Sequence, residues 1–421
     1  MVSLAFAALW VFVFSIPWER MIVLPGVSIV AKATGALAFG LALLAVVVSG
    51  RFRRLHAFHV AALLFVMWTA VVQWISSNGG KLPNKFWTWP QLLVMVWMIW
   101  ELAPSIKHQR RLLLAYVLGA SIAAADTILM FRSRGASLQR FAAGGGDPND
   151  LAMLLALGLP MAWYLASIYR RPALQWLCRG YLPLALLAIG LTGSRGGMVV
   201  TTVALLVIPL TMTDLAPGKL AAALAMVAVA GTLAVVYVPE TLIERLATTG
   251  TELQGGHLGG RGKLWVAGFR AFEQRPLMGF GNSAFRAAIT PFVGNNAQVA
   301  HNSFISVLVE QGLVGLILFL TFIFAVVPGL LRLPRLERRF ALVLLATLLL
   351  AMMPLTWEDR RAVWFVLPAL LGLAKAWPAG PSAAARGSLA EPRAATGRAA
   401  AGRRVGSAAV HGSPALRNAA E

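Results

Sequence analysis

Long apolar runs, each about as long as one membrane-spanning helix, recur along most of the chain. A helix needs ~20 apolar residues to cross ~30 Å of hydrocarbon. Runs of this kind fall near residues 4–18, 26–49, 57–76, 87–103, 112–130, 151–169, 178–193, 197–213, 220–238, 301–328, 340–356 and 362–377. The sequence therefore predicts an all-α polytopic membrane protein with about twelve transmembrane helices.

The composition favours a chain that is solvated mainly by lipid. Of its 421 residues, 58% are hydrophobic and 13% are charged, whereas a soluble domain carries ~25% charged residues. The first 18 residues lack a charged leading segment and a small-residue cleavage site, so we expect a retained first span and not a removed signal. A single cysteine, Cys178, excludes a disulfide within the chain and a cysteine-based metal site.

Charges in the short connections predict how the chain is oriented. Twelve spans place both termini on the same side of the membrane, and the connections on that side are rich in Lys and Arg, as short cytoplasmic loops are. These connections are Arg51–Arg54, Lys107–Arg111, Arg170–Arg171, Lys219 and Arg332–Arg339. We therefore expect a multi-pass protein with both termini in the cytoplasm.

Four regions follow from this reading. Residues 1–238 hold spans one to nine, residues 239–300 form a large loop with a short amphipathic helix on the outer side, and residues 301–377 hold the last three spans. From residue 378 the chain changes to Ala, Gly, Ser, Pro and scattered Arg without apolar periodicity. Such a composition is typical of a disordered segment, here a cytoplasmic tail close to anionic lipid.

The excess of basic residues is explained by where they lie. A formal charge of +21 suits nucleic acid, anionic lipid or an anionic substrate. Many cations lie in the outer connections, although membrane insertion favours keeping them inside. They are Arg132, Arg134, Arg140, Arg195, Arg245, Arg261, Lys263, Arg270, Arg275, Arg286, Arg360 and Arg361. The planar guanidinium suits paired phosphate oxygens, so a phosphate-bearing lipid is the expected partner, and no nucleic acid is. Taken singly, each cation is better explained as a solvated loop charge or a contact with lipid headgroups, except Arg195, for which the two explanations are equal.

Two of these arginines have distinctive settings. Arg195 lies in the tight connection Thr192–Gly197, whose glycines allow a close approach to neighbours or ligand. Arg261 begins a stretch in which Leu264, Trp265, Gly268, Phe269 and Phe272 share one helical stripe, and Pro276, Gly279 and Gly281 then turn the chain. An arginine at a helix start is well placed to face an anion. The alternative is that this helix is only an interfacial anchor.

One histidine is placed to take part in chemistry. Of six histidines, only His301 stands on the outer side at the head of a span, where its imidazole is suited to accept a proton near neutral pH. A purely structural role is the alternative. The outer face shows no carboxylate cluster that could serve instead, and neither Asp147 with Asp150 nor Glu358 with Asp359 has metal-ligand spacing with His or Cys, so we expect no divalent ion.

At this point the residues resemble a known family. His301-Asn302 followed by Gly312-x-x-Gly315 is similar to the histidine motif of the O-antigen ligases, within a superfamily of O-antigen ligases, polymerases and oligosaccharyltransferases. Ser194-Arg-Gly-Gly197 at a span end and the long outer loop between spans nine and ten agree with it.

The resemblance implies transfer of a glycan from undecaprenyl diphosphate to a sugar hydroxyl of the lipid A core, at the periplasmic face of the bacterial inner membrane, in lipopolysaccharide synthesis. It implies neither metal nor nucleotide cofactor. With it we expect His301 as general base, and Arg195 and Arg261 as stabilisers of the diphosphate, in a reaction that inverts the anomeric centre. Arg140, Asn302, Arg270, Arg360 and Arg361 are candidates for substrate binding, Asn302 by orienting the imidazole or binding sugar.

Three alternatives remain. The chain is a polymerase or a protein O-oligosaccharyltransferase of the same superfamily, or a transporter of lipid-linked glycan. Transporters commonly place ionisable residues at mid-membrane depth, and the only acidic residues away from the ends of the predicted spans are Asp126 and Glu310. The gathering of cations at one face favours chemistry at a site, and the position of the large loop favours the ligase.

Overall fold

The computed structural model describes residues 1–22, 30–77, 84–135, 140–212 and 260–378, with isolated positions between 218 and 240. Residues 1–377 form one compact unit. Most of the predicted ninth span, Arg245, His257 and the predicted cytoplasmic tail beyond residue 378 lie outside the described residues. So does the connection at Lys219.

The secondary structure of the described residues is helical throughout. The first helices are α1 (Val2–Ser15), α2 (Val30–Ser49), α3 (Ala57–Ser76), α4 (Thr88–Leu102), α5 (Ile106–Arg134), α6 (Pro148–Ile168), α7 (Pro172–Thr192), α8 (Arg195–Leu205) and α9 (Val207–Met212). After the undescribed stretch come α10 (Arg261–Gln274), α11 (Phe285–Val293), α12 (Ser303–Phe324), α13 (Val327–Leu330), α14 (Arg335–Met352) and α15 (Arg361–Ala376). Short 3₁₀ turns cover Ile16–Trp18, Asn84–Trp87, Ala143–Gly145 and Gly294–Asn296.

The helices confirm the predicted fold class and part of the predicted topology. Six stretches of the described chain are long and apolar enough to cross a membrane, namely α2, α3, α5, α6, α7 and residues Ser303–Leu330. Shorter helices lie at the other predicted spans that the structure describes, because α1, α4, α8, α14 and α15 have between 11 and 18 residues. The total of twelve spans stays a prediction.

Helix α6 lies at the centre of the bundle. It packs against α5, α7, α8 and α14, and nearly all of its side chains are buried, as expected of a helix that is apolar all round. Tyr181 of α7 donates a 2.7 Å hydrogen bond to the Leu155 carbonyl. That close approach requires Gly158, because a Cβ atom there would lie 2.2 Å from the Tyr181 hydroxyl. The absence of a side chain at Gly158 therefore lets α7 pack closely against the middle of α6.

Helix α12 contains a break that the sequence analysis did not predict. The run of residues 301–328 is expected to form one span, but Gly312 has a left-handed φ of 68° and a ψ of −172°. A Cβ atom on Gly312 would lie 2.2 Å from the carbonyl carbon of Leu277. Glycine is therefore required for both its conformation and its lack of a side chain.

The chain after α10 fills this break. The Leu313 amide donates to the Pro276 carbonyl at 2.7 Å, and the Phe280 and Gly281 amides donate to the carbonyls of Val309 and Glu310 at 3.1 and 2.8 Å. These bonds use backbone groups that the break removes from the helix. The loop before α11 is thus fixed to the middle of α12.

Polar side chains of α3 complete the junction. Trp68 Nε1 donates to the Gln311 carbonyl at 2.9 Å, and Thr69 Oγ1 donates to Gln311 Oε1 at 2.8 Å. One turn along, Gln73 Oε1 accepts from the Asn282 amide at 2.8 Å. Helix α3 therefore links both the break in α12 and the docked loop to the bundle.

The two ends of the bundle differ in character. Near the start of α5, Arg110 contacts Tyr164 and Glu337, and Arg53 stacks on Trp100 with 3.6 Å between the guanidinium carbon and the ring centre. These belong to the basic connections predicted for the cytoplasm. Asp150 lies 14 residues before Tyr164 on α6, which is about 21 Å along a helix. The residues around Asp150 therefore lie at the opposite end, which carries the candidate site.

Candidate active site

Ends of several helices meet in one charged region, hereafter the charged end. Asp150, in the first turn of α6, accepts from Trp357 Nε1 at 2.9 Å, Arg360 Nη2 at 2.6 Å and Arg20 Nη1 at 3.4 Å. Arg361 pairs with Glu19 at 2.8 Å. The connections after α1, before α6 and before α15 are therefore joined by ion pairs at the same end of the bundle.

His301 precedes α12 and is held by the loop between α14 and α15. Its amide donates to Thr356 Oγ1 at 3.2 Å. Two residues on, the Ser303 hydroxyl donates to the Leu355 carbonyl at 2.9 Å and accepts from the Trp357 amide at 2.7 Å. His301 has a φ of 47°, an unusual conformation for a residue with a side chain. The imidazole is thus attached to a backbone that is fixed on both sides.

The surroundings of His301 favour its neutral form. Burial lowers the pKa of the imidazole, and the charge of Arg261 lowers it further, while Asp147 and Asp150 raise it only in part. A pKa below the ordinary value of about 6.5 leaves the ring unprotonated at neutral pH. His301 can therefore accept a proton.

Arg261 is brought to His301 by the packing of α10. Trp265 Nε1 donates to the Ala300 carbonyl at 2.8 Å, next to His301, and the face of Leu264, Gly268 and Ala271 is buried. Gly268 allows contact with Phe285, since a Cβ there would lie 3.1 Å from that ring. Arg261 is the first residue of α10, after Gly260, and Asp147 lies near enough to raise its pKa against the larger lowering by burial.

The buried face of α10 differs partly from the predicted stripe. Leu264 and Gly268 are buried as expected, but Phe269 is 48% exposed. Ala267 and Ala271 are buried in its place. The face is set by small residues because α10 lies close to α11 and α12, whereas a stripe of large apolar residues predicts an anchor in lipid.

Arg140 and Arg195 meet at the connection between α7 and α8. Ser194 caps α8 by accepting from the Gly197 amide at 3.1 Å, and its hydroxyl donates to Asn149 Oδ1 at 3.0 Å. Arg140 donates to the same Asn149 oxygen at 2.8 Å and to the Thr192 carbonyl at 2.7 Å. Arg195 follows as the first residue of α8, partly exposed. Arg140 thus holds the connection that presents Arg195.

The remaining predicted binding residues are Asn302, Arg360, Arg361 and Arg270, and they lie in different settings. Asn302 caps α12, with its side-chain oxygen accepting from the amides of Phe304 and Ile305 at 2.9 and 3.1 Å. Arg360 and Arg361 are engaged in the ion pairs with Asp150 and Glu19. Because these ion pairs are only partly exposed to solvent, the two arginines also support the structure of the charged end. Arg270 is exposed on α10, about 14 Å along the helix from Arg261, and is not gathered with the others.

A cluster of carboxylates, missed by the sequence analysis, surrounds Lys85. Lys85 Nζ lies 3.0 Å from Asp359 Oδ2, and Glu358, 3% exposed, accepts from Ser306 Oγ at 3.0 Å. Glu310 accepts from the amides of Ser283 and Phe285 at 2.7 and 3.1 Å. The expectation that this face has no carboxylate cluster is wrong.

The electrostatics of this Lys85 cluster follow from its burial. Burial alone lowers the pKa of Lys85, but Asp359, Glu358 and Glu310 together outweigh it and the pKa is raised. Burial raises the pKa of Glu358 most, and the negative charge of Asp359 raises it further. The sequence signals for the cluster were Glu310 within a predicted span and the adjacent pair Glu358 and Asp359. Their partners lie far away in the chain, so spacing alone could not reveal it.

Among the residues that the structure describes, no group of three or more His, Cys, Asp or Glu side chains is arranged to hold a metal ion.

Comparison with known proteins agrees with the resemblance seen in the sequence. A family model described as O-antigen ligase matches residues 180–320, about a third of the chain. That stretch contains Arg195, Arg261, His301 and Gly312. No curated protein matches the chain. The resemblance to the O-antigen ligases is confirmed over this stretch, and together with the apolar helices it supports a multi-pass membrane protein.

Proposed function

We propose that the chain is an O-antigen ligase, which transfers a glycan from undecaprenyl diphosphate to a sugar hydroxyl of the lipid A core at the periplasmic face of the inner membrane. The match of residues 180–320 to the O-antigen ligases supports the reaction class. The observation that carries the chemistry is that His301 is half-buried and close enough to the guanidinium of Arg261 for that charge to lower the pKa of its imidazole. One group can accept a proton and the other can stabilise an anion.

In the proposed reaction the acceptor hydroxyl attacks the anomeric carbon of the donor sugar. A bond forms between the acceptor oxygen and that carbon, the bond from the carbon to the diphosphate oxygen breaks, and its electron pair leaves with undecaprenyl diphosphate. His301 takes the hydroxyl proton, a role typically worth ~10²–10⁴-fold in rate. The proton then passes to solvent or to the released diphosphate. Attack from the face opposite the leaving group inverts the anomeric centre.

Arg261 and Arg195 stabilise the departing diphosphate. The leaving group gains charge and needs no proton, so fixed cations aimed at it are the main requirement. Both are first residues of helices, α10 and α8, where backbone amides add to the attraction for an anion. Arg140 supports this role indirectly, because its hydrogen bonds hold the connection that precedes Arg195. The reaction needs no metal and no nucleotide in this scheme.

Transfer by the purified full-length protein in nanodiscs tests the proposal. Undecaprenyl-diphosphate glycan is supplied with and without lipid A-core acceptor. We expect glycan on the core, and only when the core is present. Lengthened carrier-linked glycan identifies a polymerase instead, and absence of any transfer overturns the proposal. His301→Asn is the most useful variant, because asparagine tolerates the left-handed backbone that His301 adopts. It should fold and lose transfer by at least about a hundredfold.

A pair of neighbouring cations gives the matched control for the diphosphate contacts. Arg261 is half-buried at the start of α10, while Lys263 is exposed two residues later. Arg261→Ala should reduce transfer strongly, whereas Lys263→Ala should leave it near that of the parent protein. Equal effects would contradict the assignment of Arg261.

A further inference from the structure

A cleft at the charged end is lined by Asp147 and Asp150, whose charges act on His301, and is not used by the proposed diphosphate contacts. It is bounded by the end of α1, the turn before α6 and the start of α15, with a volume of about 560 Å³ counting the open solvent at its mouth. We call it the α1–α6–α15 cleft.

The walls of this cleft combine aromatic, acidic and basic groups. Three carboxylates, those of Glu19, Asp147 and Asp150, face three guanidinium groups, those of Arg20, Arg360 and Arg361. The indole rings of Trp18 and Trp357 also line it. The formal charges of these six groups cancel.

This balance selects against a diphosphate. Asp150 and Glu19 already lie within hydrogen-bond distance of Arg360, Arg20 and Arg361. An anion entering the cleft would meet carboxylates whose repulsion offsets the attraction of the guanidinium groups. A neutral polyhydroxyl group can donate to the carboxylates and accept from the guanidiniums.

Two donors in the cleft have no partner within the described chain. Trp18 Nε1 and Arg360 Nε are buried atoms without a hydrogen-bond acceptor among the described residues. Buried donors are normally satisfied, and a site built to bind hydroxyls gains specificity from such groups. Sugar hydroxyl oxygens are acceptors of the right kind, and indole rings offer an apolar surface for a sugar face.

The position of the cleft points to the acceptor. Asp147 and Asp150, which line it, both act on the pKa of the His301 imidazole. Trp357 follows Thr356, which holds the His301 amide. The wall formed by Trp357 and Asp150 is therefore joined to the backbone that holds the base. We propose that the α1–α6–α15 cleft binds the sugar of the acceptor that carries the attacking hydroxyl. This inference rests on the proposed function.

The test compares the Michaelis constants of the two substrates in variants of the cleft. Trp18→Phe removes the indole N–H and keeps an aromatic ring, and Arg20→Gln removes an exposed cation. Both should raise the KM for the lipid A-core acceptor about tenfold and leave the KM for the carrier-linked donor within twofold. Matched controls are Trp176→Phe, about 24 Å along α7 from Thr192, and Arg132→Gln, exposed at the end of α5. Neither control should change either KM.

Three outcomes overturn the inference. A rise in donor KM alone means that the cleft holds the first sugar of the donor, equal rises in both mean a general disturbance, and no change means that no sugar binds there. A second measurement separates this inference from the proposed function. Saturation-transfer NMR with core oligosaccharide, released by deacylation and added without donor, should show binding that Trp18→Phe weakens. If no acceptor receives glycan, the proposed function fails while this measurement still decides for or against the cleft.

Discussion

The amide of His301 donates a 3.2 Å hydrogen bond to the hydroxyl of Thr356, which lies 55 residues later in the chain. The bond joins the start of α12 to the loop between α14 and α15. It also supports a backbone with a φ of 47°, which a residue with a side chain adopts only when its surroundings hold it. The direction of the imidazole is therefore set by a loop that belongs to other helices.

Thr356 should act as a positioning residue. Thr356→Val keeps the shape of the side chain and removes the acceptor oxygen, so we expect kcat to fall about tenfold because the imidazole is less well fixed. The KM for either substrate should change little. Thr356→Ser keeps the hydroxyl and should restore most of the rate. Steady-state kinetics of both variants check this, and an unrescued Thr356→Ser would show that packing of the methyl group matters instead.

The acidic limb of the pH–rate profile should report on His301. Burial lowers the pKa of His301 most and the charge of Arg261 lowers it further, whereas Asp147 offsets part of this lowering. Transfer should therefore persist below pH 6.5, the ordinary value, before protonation of the base stops it. Asp147→Asn removes a carboxylate and keeps a residue able to cap α6. Because the negative charge that raises the pKa of His301 is lost, the acidic limb of the profile should move to a still lower pH.

The direction of that shift is the decisive observation. A limb that moves to higher pH in Asp147→Asn would contradict the assignment of His301 as the titrating base. Glu273→Gln, an exposed substitution on α10, is the control and should leave the profile unchanged.

Local patterns in the sequence predicted the parts of this fold that depend on local physics. Apolar runs of spanning length indicated where the helices lie, and an apolar stripe after an arginine indicated a helix beginning at Arg261. Contacts between distant residues could not be predicted in this way. Arg361 meets Glu19 across 342 residues of sequence, so two arginines interpreted as free to bind substrate are ion-paired. Likewise, the sequence pattern places Gly312 in the interior of an apolar span without a reason for glycine. The reason is the loop docked at Leu277, which leaves no room for a side chain.

The break in α12 should tolerate no side chain at Gly312. Gly312→Ala places a Cβ atom 2.2 Å from the Leu277 carbonyl carbon and retains a left-handed φ of 68°. We expect a large loss of thermal stability in detergent and release of the loop from α12. Gly40→Ala is the matched control, because that position on α2 has no atom within 4 Å of the new Cβ. It should be neutral or stabilise by ~0.4–1 kcal/mol. Fluorescence-detected size-exclusion after heating compares the two, and a Gly312→Ala protein as stable as the parent would show that the docking is weak.

Lys85 should stabilise the charged end more at alkaline than at acidic pH. The pKa of Glu358 is raised by burial and by Asp359, and Lys85 opposes that rise. A carboxyl with a raised pKa in the folded state lowers stability as pH rises above its ordinary value of 4.5, because the unfolded chain ionises more easily. Lys85→Met removes the cation that limits this cost. Its melting temperature should therefore fall below that of the parent by more at pH 8 than at pH 5.5, whereas Lys263→Met, on an exposed part of α10, should match the parent at both. An equal loss at the two pH values would mean that Lys85 contributes through packing of its aliphatic chain and not through its charge.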